Sequence, residues 1–421
     1  MADVSKEATK DAGKGPPEGR RTEKYRRRQA EIVRAAIDLI NHKGVRAMTL
    51  ADVAARLGLV PTGVIYYFSS KEELAAACFL RAIDAYQQLI ESALAGRDRR
   101  ERLKRFVAGY IELAHDVALG KREPLAFFND VRALGDPVVN DAYTAMFREA
   151  RGLLGSSHDD GAERQTFNAI THLVLSQLFW CVAWLPLYDP EDYQRAGERL
   201  FDILNVGLAG ASARWDPRPR PMTISDSARE DVSRETFLRA ATQIINEEGY
   251  RGASVEKISA RLNVTKGSFY HHNEAKDDLV AACFRRTVDV MRRAQRATAV
   301  GAHDEWTRLC EAAAWLVEHQ IAGDTPLLRT SALTSAPEAI QAEVLAAFNR
   351  ISLTFESTIS DGIADGSVRP VDPRIAAQMI TAMINAAAEL QHWAPNLSPD
   401  AAIATYARGL FEGVGAVLPA S

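Results

Sequence analysis

Two short stretches concentrate side chains able to read a polyanion. Pro61 to Phe68 carries Thr62, Tyr66 and Tyr67, and Lys266 to His272 carries Lys266, Ser268, Tyr270, His271 and His272. Each reads as a short helix, polar and aromatic on its outward side. Each follows a residue suited to a left-handed turn, Gly58 or Asn263. A helix fits the major groove of DNA, so its outward side chains can reach base edges. A third stretch, Arg20 to Arg28, sets Arg20, Arg21, Lys24, Arg26, Arg27 and Arg28 against one acid, Glu23. It is either a solvated charge run or an arm, placed just before the first helix, that reaches DNA.

Other chemistries lack support. Adjacent His271 and His272 point to different helix faces with no third ligand nearby, so no metal is implied. Cys78, Cys181, Cys283 and Cys310 form no CxxC pair, and that usage fits a reducing cytoplasm. There is no GxSxG, no HExxH and no Gly-rich phosphate loop, so neither an enzyme class nor a cofactor is suggested.

The elements that must position these residues occur twice. Shifting the chain by 205 residues places Asn41 and Gly44 on Asn246 and Gly249, Ala55-Arg56-Leu57 on Ala260-Arg261-Leu262, and Ala76-Ala77-Cys78-Phe79 on Ala281-Ala282-Cys283-Phe284. A gap-free register across helices and turns marks a duplicated domain, far longer than a solenoid repeat. In copy one a helix ends near Gly44, Thr49 caps Leu50 to Leu57, Gly58 breaks it, and a second short helix follows. Copy two repeats the order from Gly249 through the Ser254 cap, Val255 to Leu262 and Asn263. Two short helices joined by a tight turn form a helix-turn-helix.

Nearly everything else reads as helix, with apolar residues three and four apart in Leu74–Leu94, Leu103–Leu119, Phe167–Leu185, Leu279–Met291, Leu309–Ile321, Ile340–Ile359, Ile375–Trp393 and Ala401–Val417. Asp136-Pro137, Asp189-Pro190, Asp372-Pro373 and Ser398-Pro399 look like caps followed by Pro at the first helical position. The expected fold is all-α, a tandem duplicate of a helix-turn-helix domain plus a helical ligand-binding and dimerisation bundle. The expected divisions are a disordered tail at 1–19, DNA-binding units at 20–75 and 229–280, bundles at 76–214 and 281–421, and a Pro-rich linker at 215–228.

The segments Gly58 to Leu74 (GLVPTGVIYYFSSKEEL) and Asn263 to Leu279 (NVTKGSFYHHNEAKDDL) resemble the TetR family of bacterial regulators. The family pattern is roughly G-V-S-K-G-T-L-Y-Y-H-F-x-S-K-E-x-L. The resemblance is strong in the DNA-binding parts and weak in the remaining helices. It implies recognition-helix contacts from Pro61, Thr62, Gly63, Tyr66 and Tyr67 in copy one. In copy two it implies contacts from Thr265, Lys266, Gly267, Ser268, Tyr270, His271 and His272. Phosphate contacts would come from Thr49, Ser254, Lys71 and Lys276 at helix N-termini, and from the arm residues Arg26, Arg27 and Arg28. Leu59, Val64 and Phe68 would pack inside the motif, as would Val264 and Phe269. Ile375–Trp393 and Ala401–Val417 look like the family's dimerisation helices.

Departures are lopsided. Copy one has Val60 in place of a Ser or Thr cap, a loss of about 1 kcal/mol for that helix. It has Ile65 where the family prefers Tyr, and it lacks the recognition-helix Lys. Copy two keeps Thr265 and Lys266 but has Asn273 for the packing Phe, followed by the acid Glu274. Both units are expected to bind double-stranded DNA with unequal strength.

Net charge is −4 over 421 residues, so DNA-binding charge must be local. The N-terminus has no apolar signal core, and no apolar run reaches the ~18 residues that span a bilayer, so no membrane association is expected. Tyr110, His115, His172, Trp180, Trp184, Trp315, His319 and His392 are candidates for an effector pocket, although aromatics at helical spacing more often fill a core. The expectation is a cytoplasmic regulator, a repressor released by a small apolar effector. The fused copies would act as a single-chain pseudo-dimer or assemble further into a homodimer. The rival reading is a helical ligand-binding or interaction protein whose helix-turn-helix units have degenerated.

Overall fold

The computed structural model describes residues 18–128, 131–155, 161–218, 229–252, 254–263, 276–299, 304–321, 326–329 and 338–419. The tail at 1–17 and most of the linker lie outside them. So do Thr265, Lys266, Gly267, Ser268, Tyr270, His271 and His272.

Copy one runs α1 (Glu18–Lys43), α2 (Leu50–Arg56), α3 (Pro61–Ile65), α4 (Lys71–Leu94), α5 (Arg99–Ala118), α6 (Pro137–Gly152), α7 (Ala162–Trp184) and α8 (Tyr193–Val206). Copy two contains α9 (Arg229–Gly252), α10 (Val255–Leu262), α11 (Lys276–Ala297), α12 (Glu305–Ile321), α13 (Glu338–Asp365), α14 (Pro373–Ala386), α15 (Leu390–Trp393), α16 (Pro399–Ala402) and α17 (Arg408–Phe411). No strand occurs among the described residues, only an isolated bridge between Ala209 and Val368.

Three of the four caps that stand before a proline form as expected. Asp136, Asp372 and Ser398 accept from the backbone N–H of Val139, Ile375 and Ala401. Asp189 makes no side-chain cap and opens only a single 3₁₀ turn, Pro190–Asp192. The terminal helices of copy two are less regular than their periodicity suggests. A 3₁₀ turn at Ala387–Glu389 separates α14 from α15, and a π turn at Ile403–Ala407 separates α16 from α17. The π turn buries Tyr406, whose hydroxyl donates to the Met383 carbonyl.

The two copies meet along their last helices. α7 packs on α14, α15 and the π turn, and α8 packs on α14 and α17. α7 is long and apolar enough to cross a membrane, but most of it is buried inside the protein. Its core face also carries Thr171, His172, Ser176 and Gln177, each hydrogen bonded to a backbone carbonyl. Arg199 pairs with Asp372 across the seam, and Arg369 with Asp202 at 2.7 Å. Gly207 and Gly413 cross closely. A Cβ on Gly207 would stand 2.4 Å from the Phe411 carbonyl oxygen, and one on Gly413 2.6 Å from that of Asn205. Both also have φ near +80 to +90°, so glycine is required on two counts.

Candidate nucleic-acid interface and ligand cavities

The helix-turn-helix of copy one is built as its sequence suggests. Thr49 Oγ1 accepts from the Asp52 N–H at 3.1 Å and caps α2. The turn uses Gly58 at φ 64°, where copy two uses Asn263 at φ 54°. Val53, Ala54, Val64 and Phe68 are buried, which fixes the angle between α2 and α3. Val60 makes no side-chain cap, and Pro61 starts the helix instead.

What α3 presents outward is mostly apolar. Pro61 and Thr62 are exposed, Gly63 is half-buried, and Val60, Ile65 and Tyr66 are exposed at 66%, 48% and 74%. Val60 and Ile65 were not among the contacts expected from sequence; their signal was the missing cap and the missing Tyr. Tyr67 is half-buried and packs 4.7 Å from Tyr25, with Tyr66 5.1 Å from Tyr67. Tyr25, an aromatic inside the basic run, was also overlooked. Through this ring cluster α3 is joined to α1.

That contact corrects the reading of the basic arm. Arg26, Arg27 and Arg28 do not precede the first helix; they lie on α1, which begins at Glu18. Arg, Lys, Glu and Gln are strong helix formers, and nothing after Gly19 interrupts them. Arg28 pairs with Glu31 at 2.7 Å, one turn on. Arg26 and Arg27 remain exposed on α1, next to Tyr25.

Lys71 donates to the Arg46 carbonyl at 3.2 Å from the start of α4, where Ser70 caps the Glu73 N–H. Glu73 accepts from the Ser69 hydroxyl and N–H at 2.6 and 2.7 Å, and these bonds hold its carboxyl below the usual range. In copy two, Ser254 accepts from the Lys257 N–H at 3.3 Å, and Lys276 opens α11.

A joint ties each DNA-binding unit to its bundle. Asn41, near the end of α1, donates from Nδ2 to the Leu125 carbonyl and accepts at Oδ1 from the Phe127 N–H, both at 2.9 Å. Asn246 does the same with the Leu327 carbonyl and the Arg329 N–H, again at 2.9 Å. The sequence repeat had paired these asparagines without showing what they bind.

Among the described residues, three cavities bear on the expected pocket. The first, about 330 Å³, is lined by Tyr86, Tyr110, Phe127, Phe128, Phe179, Tyr193 and aliphatic neighbours, with no charged side chain. Burial pushes the Tyr86, Tyr110 and Cys181 protons up, so the lining is neutral at physiological pH. Its floor includes Pro124 to Phe128, the loop held by Asn41. A second cavity, about 120 Å³, lies on the seam and includes His172 and Trp180. A third, about 300 Å³, is lined by Trp315 with Asp216, Arg218, Glu311 and Glu318.

The eight pocket candidates therefore scatter. Tyr110 lines the first cavity, His172 and Trp180 the second, and Trp315 the third. His319 stacks on Trp315 at 4.9 Å. His115 lies 6.5 Å from Tyr193, His392 stands edge-on to Trp393, and Trp184 is buried beside Tyr188.

A helix-turn-helix on a helical bundle, with α9 and α10 repeating its first two helices, is the build of a DNA-binding transcriptional regulator, and comparison with known proteins narrows the class. The family described as bacterial regulatory proteins, tetR family, matches residues 32–78 and 237–283. The tetracyclin repressor-like C-terminal domain matches residues 302–414. The chain belongs to the TetR family. Among curated relatives, the transposon Tn10 TetC protein of Escherichia coli is 36% identical over 52 residues, 12% of this chain and 26% of that protein. The HTH-type transcriptional repressor DhaR of Mycobacterium sp. (strain GP1) is 25% identical over 138 residues, 32% of this chain and 70% of the relative. Among solved structures, the TetR family transcriptional regulator PfmR from Thermus thermophilus matches at 18% identity and TM-score 0.35, covering 42% of this chain and 98% of that one.

Proposed function

We propose that this chain is a cytoplasmic, ligand-released repressor that grips one asymmetric operator with both of its DNA-binding units. The units would span residues 20–75 and 229–280, with bundles at 76–214 and 281–421. In this reading the copies form a pseudo-dimer within one chain, supported by the packing of α7 and α8 on α14 and α17. The two recognition segments would then enter successive major grooves roughly 34 Å apart.

The observation that carries the ligand control is the loop Pro124 to Phe128. It lines the uncharged first cavity and also holds Asn41 of α1. An apolar, uncharged effector that displaces this loop moves α1, and with it α3, through the Tyr25 cluster. Its effect on DNA equals its difference in affinity for the two arrangements.

For DNA, Thr49 and Lys71 would touch phosphate, as would Arg26, Arg27 and Arg28 from the face of α1. Thr62, Tyr66 and Tyr67 would meet bases or backbone. Exposed Val60 and Ile65 suit thymine methyl groups, so the copy-one half-site should be rich in thymine. Lys266, Ser268, Tyr270, His271 and His272 would read a different half-site.

Selection from random DNA, followed by footprinting, tests this. The expected result is two unlike half-sites. Replacing Arg26, Arg27 and Arg28 by Gln should flatten the salt dependence by roughly 0.9 for each phosphate no longer neutralised. Failure to bind its own upstream DNA or any selected site overturns the reading and leaves the ligand-binding rival.

A further inference from the structure

We propose that the seam cavity is a second ligand site, built by both copies, for an uncharged single-ring lactam. Its occupant bears on both DNA-binding units at once. The site shares the rings of Phe128 and Phe179 with the first cavity but has its own polar lining, and it does not depend on that cavity's having a ligand.

Both copies line it. Copy one contributes Phe147, Phe179 and Trp180, and copy two contributes Asn385, Glu389 and Trp393. Phe147 stacks on Trp393 at 3.6 Å with the rings within 6° of parallel, so the wall is rigid and aromatic. The volume, about 120 Å³, is somewhat under the ~150 Å³ that accepts benzene in an engineered cavity. One small ring fits.

The polar groups around it are mostly engaged. Trp180 Nε1 donates to Gln378 Oε1 at 3.1 Å, His172 Nε2 donates to the Ala386 carbonyl at 2.8 Å, and the Ser176 hydroxyl donates to the Leu173 carbonyl. Arg329 and Glu389 pair at 3.4 Å and offset each other's charge, with Arg329 Nε left over. Asn385 is the larger exception. Both its Oδ1 and its Nδ2 are buried and make no hydrogen bond within the protein. A buried amide left unpaired is costly, because its atoms have given up water for no partner. Its complement is a molecule with one donor and one acceptor side by side, which is the N–H and C=O edge of a lactam. With Arg329 and Glu389 already paired, no net charge on that molecule is called for.

The coupling follows from the two joints. Phe128 lines the cavity and adjoins Phe127, whose N–H binds Asn41. The Arg329 side chain also lines it, and the Arg329 N–H binds Asn246. The loops that hold α1 and α9 therefore converge on one small space.

The test is titration of the full chain with 2-pyridone, followed by calorimetry, with N-methyl-2-pyridone as the partner lacking the donor. Binding should weaken on the order of tenfold with the N-methyl compound and as much in Asn385→Leu, which keeps the volume but removes both amide atoms. Hydrogen exchange should slow on addition of 2-pyridone at both loops, 124–128 and 326–329. No binding at millimolar 2-pyridone, equal affinity for the two compounds, or protection confined to one loop overturns the proposal. The compound comparison needs no variant, so it decides even if Asn385→Leu does not fold. None of these readouts uses DNA, so failure here is distinguishable from failure of the operator reading.

Discussion

Copy one and copy two agree most closely where each DNA-binding unit meets its own bundle. Each asparagine joint closes at 2.9 Å on both arms. Cys78 and Cys283 both point their sulfur at a carbonyl of the first helix, Val33 at 3.7 Å and Leu238 at 3.6 Å. Burial pushes these thiols up to about 12 and about 11, so both remain small apolar fillers with a weak donor. The recognition segments differ instead in sequence at every position from 61 to 68 against 266 to 273. The difference teaches that the shared part is a fixed linkage between bundle and DNA-binding unit, while the segments beyond it have diverged.

The largest expected effect bears on whether the copies act as one body. Trp393→Ala removes a buried ring that stacks on Phe147 of the other copy, and a loss of about 3–5 kcal/mol is expected. Calorimetric unfolding should show the two copies melting apart. An unchanged single transition would mean that the seam contributes little.

Next come the joints themselves. Asn41→Ala and Asn246→Ala each delete two hydrogen bonds to peptide groups, at about 2 kcal/mol apiece. Urea unfolding should give similar losses, and a clear inequality would break the claim that the joints are equivalent. Smaller still are the caps. Thr49→Ala and Ser254→Ala should each cost about 1 kcal/mol, again read by urea unfolding, and matching values would extend the equivalence to the second helix.

The smallest effect is a pH dependence confined to the seam. Burial lowers the folded-state pKa of His172 below its ordinary 6.5. The unfolded chain therefore takes up the proton first as pH falls. The contribution of His172 is fully present above about pH 6.5 and is lost below it. Melting at about pH 5.5 should be lower than at about pH 7.5, and His172→Gln should remove part of that difference. An identical pH response in the variant would assign it to other groups.

The helix-turn-helix was legible because it is local. Caps, turn residue and apolar spacing all fall within about 25 residues, and they recur at one offset. The joints were half legible: the repeat paired Asn41 with Asn246, but the carbonyl that Asn41 binds lies 84 residues away. The start of α1 was missed because charge was weighed above helix propensity. The outward faces of Val60 and Ile65 were missed because apolar residues are normally assigned to a core. Tyr110 and Trp184 look alike in sequence, each an aromatic on an apolar helix. Only the neighbouring helices make one a cavity wall and the other filler.

The end of copy one is stitched to copy two before the linker is reached. Leu208 donates to the Phe411 carbonyl, Gly210 to that of Ser367, and the Trp215 N–H to the Glu412 carboxylate. The Trp306 ring nitrogen donates to the Arg214 carbonyl. A protease cut within 219–228 would therefore divide the chain but not the molecule, and the two fragments should elute together. The covalent link fixes stoichiometry more than shape, since every molecule carries one of each half. Neither half ever has to recognise an identical sibling within its own chain, so the outward surface of each is free to drift without spoiling the other.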